Sequence, residues 1–103
     1  TVHVAHAHKY RGYRWVDDKK AQTAMAAKVP GNMADCAAMI QNYFLEGPFV
    51  LGKSFSMCDP YLALITRWLG QDGVSLNDFP RLKEHHEMMK QRPSVQKVSP
   101  LYD

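Results

Sequence analysis

Residues 54–68, SFSMCDPYLALITRW, limit what this chain can fold into more than any other stretch. Ser56 followed three positions later by Asp59 has the form of a capping box. A hydroxyl accepts from a first-turn N–H while an acidic side chain reaches back to the cap. Behind it Met57, Pro60, Tyr61, Leu64, Ile65 and Trp68 recur at helical spacing and predict one buried face. Phe55 stands where it can staple onto Pro60, and Gly70 is a natural stop. Cys58 invites a second reading, because unpaired N–H groups at a helix start lower a thiol's pKa. Asp59 beside it acts the other way, and a carboxylate does not serve such a thiol as base in the way a histidine does. The pair is expected to be a folding signal, and losing Ser56 or Asp59 to alanine should cost about 1 kcal/mol or more.

Every other periodic stretch is helical as well. Asp17 and Asp18 suit a helix start, and KKAQTAMAAK after them is rich in helix formers. Pro30-Gly31 interrupts the pattern, either kinking one long helix or separating two. Past it Met33, Cys36, Ala37, Ile40, Tyr43 and Phe44 form one apolar stripe that Gly47-Pro48 ends. FVLGKSF reads as a loop turning at Gly52. Asn77 or Asp78 opens a further helix with Pro80 in its first turn and Phe79, Leu82, His86 and Met89 on one side. Arg92-Pro93 closes it, and SVQKV adds a last turn. No strand alternation or internal repeat competes. The expected class is all-α, a bundle of about five helices forming a single domain over residues 1–103.

The totals exclude more than they assign. Thirteen Lys and Arg against ten Asp and Glu give a charge of +3 over 103 residues, too little to imply a nucleic-acid partner. HKYRGYRW interleaves cations with aromatics as single-strand binders do, but no motif of that class accompanies it. Two cysteines without a C-x-x-C spacing suit a reduced, cytoplasmic protein, and no apolar run is long enough to cross a membrane. His3 and His6 can share a helix face, whereas His8 lies about 200° around from His6, so no metal site is expected. His85 and His86 diverge for the same reason and read as surface and half-buried positions of one helix.

GPFVLGKSFSMCDPYL, the RW behind it and FPRLKEHHEMMKQRPSVQK together resemble the C-terminal helical domain of the glutathione transferases. Gly52, Ser56, Cys58 (where Ala is usual), Asp59, Tyr61, Trp68, Pro80, Arg92, Pro93 and Val95 carry the likeness, which spans most of residues 33–98. The resemblance implies half of a two-domain, dimeric enzyme. In such an enzyme a thioredoxin-like domain binds glutathione and activates its sulfur, and the helical domain walls the site for a hydrophobic electrophile. Glutathione is then a co-substrate, and no other cofactor is implied. Nothing here resembles the thioredoxin-like half, so no catalytic residue is expected in this chain, and the chain alone is expected to be inactive. The likeness is to bacterial beta-class enzymes, whose first helix in this domain carries a His-Lys pair facing the sulfur. It puts His8 and Lys9 there, with His6 as the alternative inward histidine, and makes Tyr10, Tyr13 and Trp68 candidates for the substrate wall. Exposed helix face and plain core are the competing readings of these residues. Related helical domains also act as protein-interaction modules, the second function the resemblance allows.

Overall fold

A computed structural model describes residues 1–101. Five α-helices follow in order: α1 (Val2–Ala7), α2 (Lys19–Met39), α3 (Cys58–Gln71), α4 (Pro80–Lys90) and α5 (Pro93–Val98). α1 packs on α2, α2 on α3, α3 on α4, and α5 on α4. The shared core is Ala5 of α1, Val29, Met33 and Ala37 of α2, Leu62 and Leu69 of α3, and Leu82 of α4, closed by Leu45 and Val74 from the connections.

Pro30 neither breaks nor splits α2, which runs through it as one helix of 21 residues. Proline in a helix interior costs about 3 kcal/mol through the lost N–H and a clash with the preceding turn. Here Pro30 is on the exposed side, where water can serve the freed carbonyl, while Val29 and Met33 beside it are fully buried. Packing of that face holds the helix together. The start is set by Asp18, whose carboxylate accepts from the Lys20 N–H at 3.0 Å. At its far end α2 widens into a π turn over Ile40–Phe44, closed by the Leu45 N–H on the Ile40 carbonyl at 2.9 Å. The wider turn delivers Leu45 into the core.

Two boundaries differ from expectation. α3 does not stop at Gly70 but runs to Gln71 and ends in a Schellman turn, with Gly73 at φ +90°. The Val74 N–H returns to the Leu69 carbonyl at 2.9 Å and the Gly73 N–H to Gly70 at 3.3 Å, with Val74 and Leu69 both buried. Only the second glycine has the left-handed backbone that this turn requires. α4, for its part, begins at Pro80, after a short 3-10 turn at Leu76–Asp78. Its first N–H groups are capped from outside the segment: Gln41 Oε1 accepts from the Arg81 N–H at 2.9 Å and the Leu82 N–H at 3.3 Å. Arg81 returns the contact, its guanidinium donating to the Gln41 carbonyl at 2.9 Å and to the Leu45 carbonyl.

The buried face of α3 is also rotated from the expected one. Asp59, Leu62, Ile65, Thr66 and Leu69 point inward, whereas Met57 and Tyr61 are exposed. Phe55 does not staple onto Pro60; its ring meets Phe49 edge-on and lies under the Arg92 guanidinium at 3.7 Å.

Candidate functional site

Two polar constellations are built into α3, one at each end. At the start, Ser56 Oγ accepts from the Cys58 N–H at 3.3 Å and Asp59 Oδ2 accepts from the Ser56 N–H at 2.8 Å, the reciprocal pattern of a capping box. Asp59 does more than cap. Its other oxygen accepts from the Val50 N–H at 2.9 Å and pairs with His85 Nε2 at 2.9 Å, both side chains being fully buried. One carboxylate thus joins the 49–55 loop, α3 and α4. Burial alone would push its pKa up, but the hydrogen bonds from Val50 and Ser56 and the contact with His85 outweigh this and hold it below the ordinary 3.8. His85, expected at the surface or half-buried, is in fact the core histidine of α4, in line with Leu82 and Met89. A carboxylate inside the core needs a partner, and position 85 faces it. His86 is half-buried, and burial, aided by nearby Lys90, lowers its pKa.

Further along α3, His3 and His6 of α1 and Lys9 just beyond it lie against Tyr61, Trp68 and Asp72, the last just past the end of α3. The His6 ring stacks flat on Trp68, with centroids 4.4 Å apart and planes within 1°. His3 meets the same indole edge-on at 5.1 Å, and the Tyr61 hydroxyl lies 3.3 Å from His3 Nε2. His6 Nδ1 is 2.5 Å from Asp72 Oδ2, and the Asp72 side chain is wholly buried. Lys9 donates to the Gln71 carbonyl, where it complements the α3 C-terminus, and its ammonium sits 3.8 Å from Asp72 Oδ1.

The other candidates are scattered. His8 meets Trp15 edge-on at 4.4 Å. Tyr10 and Tyr13 are exposed. Cys58 is exposed and Cys36 buried, and burial pushes the Cys36 thiol up. An apolar groove of about 230 Å³ lies between α1, the π turn and α3, lined by Val2, Ile40, Phe44, Val50, Cys58, Tyr61, Leu62 and Ile65. Among the described residues no three His, Cys, Asp or Glu side chains form a group that could hold a metal ion, and no helix is long and apolar enough to cross a membrane.

The class these features define is a small all-helical domain with a central helix locked at both ends by buried carboxylate–histidine pairs. Residues 6–98 match the family described as glutathione S-transferase, C-terminal domain, and the chain belongs to that family. It is also similar to a solved glutathione transferase homolog from Sulfitobacter with bound glutathione, at 42% identity and a TM-score of 0.94. That likeness covers 98% of this chain and 49% of the homolog, so the chain spans about half the length of that relative. No curated protein matches the chain.

Proposed function

We propose that this chain is the helical, substrate-pocket half of a glutathione transferase that joins the sulfur of glutathione to electrophilic substrates. One observation carries the reading: a homolog 42% identical across nearly the whole chain holds glutathione. In this reading α1 and α3 supply the wall of the site, with the groove beside Tyr61 taking the hydrophobic electrophile. Activation of glutathione belongs to a thioredoxin-like domain outside these residues, and the whole protein is a cytoplasmic homodimer of the bacterial beta-class type. The exposed apolar side chains Met57, Tyr61, Phe44 and Val4 support a surface that a further domain covers. The test is calorimetric titration of glutathione into the natural gene product that carries this domain, followed by conjugation to an activated aryl chloride. Saturable binding and turnover are expected, with no turnover by residues 1–103 alone. A natural product that neither binds glutathione nor consumes it would overturn the reading in favour of an interaction module.

A further inference from the structure

Two walls of the apolar groove are not regular α-helix: Ile40 and Phe44 come from the π turn, and Val50 comes from the loop after it. Each is held from outside. In an α turn the Leu45 N–H would reach the Gln41 carbonyl; here it reaches Ile40, and the Gln41 carbonyl is left over. The Arg81 guanidinium takes that carbonyl at 2.9 Å and also donates to the Leu45 carbonyl. Val50 is fixed through Asp59 Oδ1, which accepts from the Val50 N–H at 2.9 Å and meets His85 Nε2 at 2.9 Å. The Val50 carbonyl in turn accepts from the Glu46 N–H at 3.2 Å, which ties the loop to the end of the π turn. Arg81 and His85 stand four apart and so lie on one side of α4. None of the residues lining the groove belongs to α4. One helix thus fixes both irregular walls and contributes nothing to the surface between them.

The lining is aliphatic or aromatic apart from the Cys58 thiol and the Tyr61 hydroxyl, and that hydroxyl lies 3.3 Å from His3 Nε2. Its volume of about 230 Å³ exceeds the roughly 150 Å³ of an apolar cavity that takes benzene, so one substituted ring fits. We propose that Arg81 and His85 are positioning residues for the groove, holding its two walls at the spacing that admits a single substituted aromatic ring. The ring is the electrophile of the transferase reading, on which this proposal rests. Without the guanidinium the Gln41 and Leu45 carbonyls lose their donor, the turn no longer keeps its π form, and Ile40 and Phe44 shift. Without the imidazole the Asp59 oxygen loses its tie to α4, and Val50 moves with it.

The test uses the natural gene product with labelled methyl groups. It is titrated with meta-dinitrobenzene, an unreactive analogue of an activated aryl chloride, and steady-state kinetics with the aryl chloride run alongside. In the wild type the methyl signals of Val2, Ile40, Val50 and Ile65 should shift together and saturate. Arg81→Met keeps the stem at an exposed position and removes the donors. It should weaken that binding about fivefold and raise the KM for the aryl chloride equally, with kcat and the KM for glutathione within about twofold. His85→Leu should act in the same direction, whereas His85→Gln, which keeps a donor for Asp59, should stay within about twofold of wild type. The Leu45 amide in Arg81→Met and the Val50 amide in His85→Leu should gain about tenfold more hydrogen exchange than the core amide of Leu69, a split that general destabilisation would not give. The proposal falls if the analogue shifts other methyl groups and not these, or if Arg81→Met leaves both the KM for the aryl chloride and the Leu45 exchange unchanged. If the wild type consumes no glutathione, the transferase reading fails. Methyl shifts that weaken in Arg81→Met would then still establish the two residues as positioning groups of a ring-binding groove, and their absence would end both.

Discussion

Asp59→Asn is the substitution that most directly tests how this fold is held together. The carboxylate accepts from the Val50 N–H, the Ser56 N–H and His85 Nε2 at 2.9, 2.8 and 2.9 Å. An amide of the same shape has one accepting oxygen and an NH₂ that can only donate. At least one of the three donors must then face another donor in a fully buried site. A hydrogen bond to a charged group contributes about 1.5–3 kcal/mol, and a stranded buried donor costs about 1–3 kcal/mol. The carboxylate's own desolvation is relieved, which offsets part of this, so a net loss of about 2–3 kcal/mol is expected. Asp59→Ala, which strands all three donors, should lose about 3–5 kcal/mol. Against the roughly 5–15 kcal/mol that holds a typical domain together, either loss is large.

Urea unfolding followed by far-ultraviolet circular dichroism measures it. With a slope of about 1.5 kcal/mol per molar, Asp59→Asn should move the midpoint down by roughly 1.3–2 M. A loss in the same direction should appear in the wild type on acidification. The folded pKa lies below the ordinary 3.8, so the contribution is complete above 3.8 and disappears as pH falls toward the folded value. Asp59→Asn should lack that acid slope. A midpoint within about 0.5 M of wild type at neutral pH, with the acid slope unchanged, would refute the account of Asp59 as the junction of loop, α3 and α4.

Gly73→Ala should cost about 1–2 kcal/mol, read by the same urea transition, because φ is +90° and the new methyl would lie 3.4 Å from Pro30 Cγ. Gly70→Ala should be neutral or slightly stabilising, since that position is helical, exposed and has open space around it. For His86 the pKa in the folded chain is below the ordinary 6.5, so the unfolded chain binds the proton more readily. Stability should fall as pH drops through 6.5 toward the folded value, and His86→Gln should remove that part of the slope in unfolding curves measured across this window.

Much of the helix plan could be read from the sequence, because the spacing of apolar residues and the caps at Asp18 and Ser56 are local signals. The buried face of α3 was harder to read for a specific reason. Periodicity assigns polar residues to the outside, yet Asp59 and Thr66 are both inside. Asp59 is satisfied by three donors, and Thr66 donates its hydroxyl to the Leu62 carbonyl at 2.9 Å within its own helix. Counting those two as surface turns the predicted stripe toward Met57 and Tyr61, which the structure exposes. Position 85 was misjudged for the same cause. A histidine was expected at the surface because nothing near it in sequence shows that a carboxylate waits in the core. Gln41 as the cap of α4 is likewise a partner forty residues away.

The different surroundings of His8 and His6 turn on the same distinction. In sequence His8 has the stronger claim, since it stands directly before Lys9. What decides the geometry is Asp72, which comes into range only because α3 continues past Gly70 and turns at Gly73. The turn that ends α3 therefore does two things at once. It brings Val74 back onto Leu69 to seal the core, and it leaves the Asp72 carboxylate buried under α1, where His6 and Lys9 must meet it. His8, two residues on at the C-cap of that short helix, meets Trp15 instead. A folding device at the C-terminus of one helix thus selects which histidine of another is oriented, so a change at Gly73 should disturb His6 before it unfolds the domain.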